Sequence, residues 1–333
     1  MNATPLKTIA LEEHYITPAI RDANLALPPE LRDPSTALQG SSDIGKQLLD
    51  LGDERIRQMD ASGVDFAVLS VTTPSTQSLP PQQAIALASE ANDALAQAIQ
   101  RYPDRLGGFA TLPTPDPQAS ARELERCVRL GFKGAMVNGR TCERYLDHPD
   151  FLPIFEKAVE LGVPIYVHPQ GPPYVVQQAH FMGFDDAVNY SLMTGGYGWH
   201  VETGINAVRM ILSGLFDRLP DLQIILGHWG ETIPFYLERV NTLSRVAHTL
   251  QRPVMQTFRE NFYITPAGLY SVPMLLHAMA TMGVDRILYS TDYPFVPAPN
   301  GLGRTFLETA PISPADQRKI GSENAARLLG IEI

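Results

Sequence analysis

Cysteine is nearly absent: Cys127 and Cys142 are the two in 333 residues. With Cys127 expected on a helix and Cys142 in a loop, they can build neither a disulfide framework nor a zinc knuckle, so a reducing compartment is expected. Positive charge is also scarce, with 26 Lys and Arg against 36 Asp and Glu and a formal net charge of -10. Recognition of a polyanion needs clustered cations, so nucleic acid is not an expected partner. Nothing approaches the ~18 consecutive apolar residues of a membrane helix. The opening Met1–Lys7 holds no apolar signal core. A cytoplasmic protein without membrane contact is the expectation. Internal repeats, low-complexity tracts and long linkers are missing too, and no glycine-rich phosphate loop follows the first strand candidate.

Apolar residues make up 44% of the chain, enough for a large core and consistent with one domain over residues 1–333. Short apolar or β-branched runs alternate with longer segments of helical period. The strand candidates are 8–12, 66–70, 106–111, 134–138, 165–168, 224–227, 262–265 and 287–290. The helix candidates are 53–62, 83–101, 117–130, 151–161, 202–216, 232–249, 273–282 and 314–329. Gly63, Gly131, Gly162 and Gly283 stand where a left-handed helix cap would precede the next strand. Eight strand–helix pairs predict an α/β fold, a (β/α)8 TIM barrel rather than an open doubly wound sheet. Two segments break the rhythm, 20–49 and 169–200, and both are expected as loop insertions over the C-terminal, catalytic face.

In such a barrel the chemistry sits at the C-terminal strand ends. Strand one ends in Leu11-Glu12-Glu13-His14, where alternation places Glu12 and His14 on one face and Glu13 on the other. Strands five and six deliver His168 and His228, and strand eight delivers Asp292. Closure makes strands one and eight neighbours. Glu12, His14, His168 and Asp292 form a mixed nitrogen and oxygen set suited to one divalent ion, Zn2+ or Mn2+. Glu13 reads as a salt-bridge or cap partner. His148, His180, His200, His248 and His277 share no strand-end logic, although His180 and His200 fall in the second insertion.

Leu11-Glu12-Glu13-His14, Gly227-His228-Trp229-Gly230-Glu231 and Ser290-Thr291-Asp292-Tyr293-Pro294-Phe295 resemble the decarboxylase branch of the amidohydrolase superfamily, nearest to γ-resorcylate and 5-carboxyvanillate decarboxylases. The similarity extends through Arg101-Tyr102-Pro103-Asp104-Arg105, Leu130-Gly131-Phe132-Lys133-Gly134 and Ser213-Gly214-Leu215-Phe216-Asp217. The resemblance implies a metal-dependent carboxy-lyase that removes CO2 without oxidation from a hydroxylated aromatic carboxylic acid of the ortho-hydroxybenzoate type. The metal would sit at Glu12, His14, His168 and Asp292. Asp292 is the candidate proton donor to the ring carbon, with a water held by His228 as the alternative, and it would need a raised pKa to donate near neutral pH. His228 with Glu231 would orient a water or the carboxyl group. Arg239, eight residues past Glu231 and on the same face of the expected helix, would meet an anionic substrate, and Phe295, with Tyr293, would wall the ring. A homodimer or homotetramer is implied as well.

The chain departs from the resorcylate pattern at His168-Pro169-Gln170-Gly171-Pro172, which lacks an arginine after His-Pro. Val137-Asn138-Gly139-Arg140 and Arg144-Tyr145-Leu146-Asp147 look closer to the carboxyvanillate side, whereas His14 does not. Two rivals use the same barrel. A metal-dependent lactone or amide hydrolase would more often open with His-x-His where this chain has Glu12. A noncatalytic metal- or ligand-binding barrel would not need the full set of ligands and proton donor.

Overall fold

The computed structural model describes residues 5–40, 42–296 and 298–332, so residues 1–4 of the opening stretch lie outside the description. The barrel strands are β1 (Ile9–Tyr15), β2 (Phe66–Val71), β3 in two pieces (Leu106–Gly108 and Ala110–Thr111), β4 (Ala135–Asn138), β5 (Ile165–His168), β6 (Ile224–Leu226), β7 (Phe262–Ile264) and β8 (Tyr289–Ser290). All pair in parallel, in two ladders. The first ladder runs β8-β1-β2 to the first piece of β3, and the second runs from the other piece of β3 through β4, β5 and β6 to β7. They join at β3, where Phe109 N donates to Leu69 O at 2.9 Å and Ala110 N to Gly134 O at 2.8 Å. They join again where Ile264 bridges Ile287 in parallel. The barrel is therefore closed, as the alternating pattern predicts.

Alternation sorts the strand residues into two cores. Ile9, Leu11, Val68, Phe109, Met136, Tyr166, Ile225 and Leu288 fill the interior. Ala10, Leu69, Val137, Val167, Leu226 and Tyr289 face the surrounding helices. Strand ends fall within three residues of the sequence expectation, and 165–168 matches at both ends. The larger differences lie outside the barrel. The insertion after β1 holds the helices Pro18–Leu25 and Asp43–Leu48 with a 3-10 turn between them, and the one after β5 holds Tyr174–His180 and Asp186–Met193. Their short lengths and mixed faces hid them from a search for helical period. The expected helix 232–249 runs only over Ile233–Val240 and is followed by 3-10 turn Asn241–Arg245, leaving His248 in a turn. Expected helix 202–216 begins earlier, as Gly198–Leu212, and restarts at Leu215–Arg218. Two further helices, Val254–Asn261 and Leu302–Thr309, had no counterpart in the sequence expectation.

Of the expected caps, Gly63 and Gly162 take the left-handed conformation, with φ of 71° and 66°. Gly283 has φ 82° but ψ 150°, outside that region. Both insertions cover the barrel mouth and are tied to each other, Gly171 N donating to Asp33 Oδ2 at 2.9 Å, and the first is tied to the loop after β2, Gln39 Nε2 donating to Thr73 O at 2.7 Å. Among the described residues no helix is long and apolar enough to cross a membrane.

Candidate active site

The end of β1 carries the first surprise. Interior residues Ile9 and Leu11 set an alternation that, continued, would turn Glu12 and His14 out toward the helices. Instead the β1–β2 register skips Glu12: Leu11 pairs with Val68 and Glu13 with Leu69. Glu12 is a bulge residue with φ 66°. One extra residue inverts the parity of everything after it. Glu12 and His14 therefore face inward, while Glu13 faces out. The common face of Glu12 and His14 agrees with the sequence expectation, but the bulge produces it rather than simple alternation.

Four side chains converge there. Glu12, His14, His168 and Asp292 each offer a ligand atom, all within 4.8 Å of one another, and all four residues are buried. His168 Nε2 is 3.4 Å from Glu12 Oε1, and His14 Nε2 is 3.5 Å from Asp292 Oδ1. His168 Nδ1 donates to Pro169 O at 2.8 Å. A carbonyl only accepts, so Nε2 is the atom left with a lone pair toward the cluster. His14 Nδ1 lies 3.3 Å from Ser70 Oγ, which directs its Nε2 inward in the same way. Glu12 Oε1 and His14 Nε2 are buried without a hydrogen-bond partner. Such orphans are costly unless something charged occupies the space between them. The residues present therefore fit a divalent cation.

The other oxygen of Glu12 is fully engaged. Tyr166 O–H donates to Glu12 Oε2, and Thr265 Oγ1 donates to the same oxygen at 3.3 Å. Thr265 accepts from Ser290 Oγ at 2.7 Å, and Ser290 accepts from Ala267 N at 2.8 Å. The chain of donors points one way, into the carboxylate, leaving Oε1 for the cluster. Gly227 makes room: a Cβ there would stand 2.7 Å from both Glu12 oxygens. Glu13 lies outside the site and accepts from Thr291 N and Oγ1 at 2.8 and 2.6 Å. It thereby fixes the strand end that delivers Asp292, near the buried Arg55 guanidinium.

After β6 the backbone takes an unusual path. His228, Trp229, Gly230, Glu231 and Thr232 all have positive φ, from 48° to 84°. For the non-glycine residues such angles cost roughly 1–2 kcal/mol each, so the turn must be held from outside. Trp229 N donates to Thr265 O at 2.7 Å and Trp229 Nε1 to Leu269 O at 2.7 Å. The turn presents His228 Nδ1 to Glu231 Oε1 at 2.7 Å and leaves Nε2 3.9 Å from Asp292 Oδ2. Glu231 is in this turn and not on the following helix, so it shares no helical face with Arg239. Arg239 is exposed on Ile233–Val240 and, among the described residues, makes no contact with the cluster.

Charge follows from these contacts. Burial alone would raise both Asp292 and Glu231, but His14 and His228 hold Asp292 down at about 2, and His228 and His200 hold Glu231 at about 2. Burial lowers His228, yet Glu231, Glu12 and Asp292 outweigh it and lift its pKa well above the usual range. Burial, reinforced by His14, pushes His168 down to about 3. In the chain by itself Asp292 is held down, so the raised pKa that proton donation needs would have to come from the bound anionic substrate. Two imidazoles border that carboxylate, and the readily held proton lies on His228.

Other candidates divide. The Phe295 ring stands 5.7 Å from His14, whereas Tyr293 lies under the Arg55 guanidinium at 4.6 Å. His180 is exposed, and His277 Nε2 bonds Pro234 O at 3.1 Å. Arg140 is buried and tied to loop carbonyls, Nη2 to Gly171 O at 2.6 Å and Nη1 to Cys142 O at 3.0 Å. Two residues, Asn138 and Trp199, were missed, and His200 was named only as a histidine of the second insertion. Asn138 ends β4 beside His168 with an unpartnered Oδ1, and the strand-end rule could have found it. Trp199, its ring 6.3 Å from His168, and His200, 2.8 Å from Glu231, come from the second insertion, where no periodicity pointed to them.

The amidohydrolase family pattern matches residues 17–331. The chain belongs to the amidohydrolase family. Within that family it is 36% identical over 339 residues to the γ-resorcylate decarboxylase of Rhizobium sp. (strain MTP-10005), covering 97% of this chain and 98% of that one. The solved 5-carboxyvanillate decarboxylase of Sphingomonas paucimobilis superposes with a TM-score of 0.89 at 34% identity, covering 98% of this chain and 100% of that one. The dihydroxybenzoic acid decarboxylase of Polaromonas sp. JS666, solved with bound manganese and the inhibitor 2-nitroresorcinol, gives 0.83 at 35% identity, covering 98% and 97%. These amidohydrolase relatives are thus carboxy-lyases by name, and one of them holds manganese.

Proposed function

We propose that this protein is a metal-dependent, nonoxidative decarboxylase of a hydroxylated aromatic carboxylic acid of the ortho-hydroxybenzoate type, working in the cytoplasm as one domain over residues 1–333. The observation that carries this reading is the pairing of two sites in one mouth. A four-ligand cluster with unpartnered inward atoms lies within 4 Å of a proton-holding imidazole, as the His228 to Asp292 separation of 3.9 Å measures.

Glu12, His14, His168 and Asp292 would hold one divalent ion. The manganese of the Polaromonas relative supports Mn2+, and the nitrogen and oxygen donors suit Zn2+ equally. When bound, the ion supplies positive charge that orients the acid's carboxylate and ortho oxygen and offsets their charge. The remaining work belongs to side chains. Loss of CO2 from an arene carboxylate would leave an aryl anion unless the ring carbon is protonated first. His228, with Nδ1–H donated to Glu231, holds a proton at Nε2, and Asp292 Oδ2, 3.9 Å away, is the group that would carry it to the carbon bearing the carboxylate once bound substrate closes that gap and its negative charge raises the Asp292 pKa. The bond to the carboxylate then breaks, its electron pair restores the aromatic ring, and CO2 leaves. Phe295 beside His14 walls the ring.

A homodimer or homotetramer is part of the proposal. Phe235 and Tyr236, exposed by 74% and 58%, flank an apolar cavity of about 580 Å3 on the helix that carries Arg239. Because Arg239 is exposed in its own chain, its substrate contact would be made across such an interface. The direct test is CO2 release from 2,6-dihydroxybenzoate and related ortho-hydroxybenzoates, lost on chelation and regained with Mn2+ or Zn2+. A metal-loaded protein that releases CO2 from none of them contradicts the reading.

A further inference from the structure

We infer that His200 is a positioning residue for this reaction: it clamps the carboxylate of Glu231, which in turn fixes His228 with Nε2 toward Asp292. The inference rests on the decarboxylase reading above. Glu231 is wholly buried, and each of its oxygens is taken by one imidazole. Oε1 lies 2.7 Å from His228 Nδ1 and Oε2 lies 2.8 Å from His200 Nδ1. An ionised carboxylate only accepts, so both Nδ1 atoms donate. That assignment leaves His228 Nε2 as the atom 3.9 Å from Asp292 Oδ2.

Glu231 sits at φ 55° inside the left-handed turn rather than in a regular helix, and its carboxylate is oriented by the two imidazole contacts. With His200 removed, Oε2 would have no partner among the described residues and the carboxylate could rotate. His200 is itself braced from behind. Its Nε2 lies 3.0 Å from Gly195 O, so the ring spans from the second insertion to Glu231. The two imidazole rings are 4.6 Å apart. His200, His228 and Glu231 are grouped closely enough to suggest a second ion site. However, nitrogen to oxygen separations of 2.7 and 2.8 Å are hydrogen bonds. His200 belongs to neither the quartet nor the ring wall and acts through Glu231.

Two substitutions separate positioning from bulk. His200→Asn puts an amide N–H near the place of Nδ1 and loses the Gly195 link, and His200→Phe keeps a ring without any donor. In a wild-type enzyme that releases CO2, His200→Phe is expected to lower kcat by about 10–100-fold, with KM and bound metal unchanged, and His200→Asn to restore most of the loss. Wild-type kcat in His200→Phe, or equal impairment of the two variants, would overturn the assignment. Crystal structures give a readout independent of turnover. Glu231 and the His228 ring should be displaced in His200→Phe, and an unchanged pair rejects the role. Should that variant not fold, a wild-type crystal structure with His200 Nδ1 beyond 3.5 Å of Glu231 rejects it as well. If the wild type releases CO2 from no acid, the reaction assigned above fails, and the crystallographic result still decides the clamp.

Discussion

The floor and the mouth of the barrel are built from the same eight strands in opposite styles. On the floor, Ile9, Val68, Ile225 and Leu288 are buried and apolar, and the first three are regularly paired. At the mouth, Glu12, Ala267, His228, Trp229, Glu231, Thr232 and Asp292 all have positive φ, and the buried groups are ionisable. The contrast shows where each task is done. Burial of apolar surface on the floor stabilises the fold, and that stability tolerates strain and unpartnered polar atoms at the strand ends. Three of the strained residues, Glu12, His228 and Asp292, carry the proposed chemistry.

Substitutions on the two sides should separate cleanly. His228→Asn at the mouth is expected to lower CO2 release by about 100- to 10,000-fold while metal content and unfolding midpoint stay near wild type. A large fall in stability instead would mean that the mouth also supports the fold. Ile9→Ala on the floor should lower stability by about 2–5 kcal/mol, measured by urea unfolding, with turnover per folded molecule unchanged. Changed turnover would show that the two regions are coupled.

Acid should act on the mouth of the metal-free protein. His168 titrates near about 3 in the folded chain against 6.5 ordinarily, so between those values the unfolded chain binds the extra proton. Stability is therefore lost as pH falls through that window, by on the order of a few kcal/mol. Thermal unfolding from pH 7 to 3 measures it, and His168→Asn should flatten the slope. The smallest expected effect lies on the border between the regions. Tyr166→Phe removes the O–H donated to Glu12 and should weaken metal affinity by about 10–100-fold with little change in stability. Titration with Mn2+ reads it, and unaltered affinity would mean that Thr265 alone orients the carboxylate.

Much of this was legible in the sequence. The alternation of apolar runs and helical periods gives the closed barrel, because floor residues such as Val68 and Ile225 obey the strand period. Strand-end logic gathers Glu12, His14, His168, His228 and Asp292. The remainder was hidden for physical reasons. The bulge at Glu12 is a one-residue register change, and no residue type announces it. The left-handed turn from His228 to Thr232 looks like the start of a helix, so Glu231 and Arg239 were expected on one face. His200 and Trp199 reach the site from an insertion whose path is set by tertiary contacts such as Gly171 to Asp33. The direction of Asp292's pKa depends on which imidazoles border it, a matter of ångströms.

The most direct test of the account is to measure metal content and CO2 release together, in wild type and Asp292→Asn, across a panel of ortho-hydroxybenzoates. The account predicts about one divalent ion per wild-type chain, CO2 release that tracks the ion, and no release from Asp292→Asn even where some ion is retained. An Asp292→Asn protein that keeps its metal and still releases CO2 at the wild-type rate would contradict the proposed route of the proton.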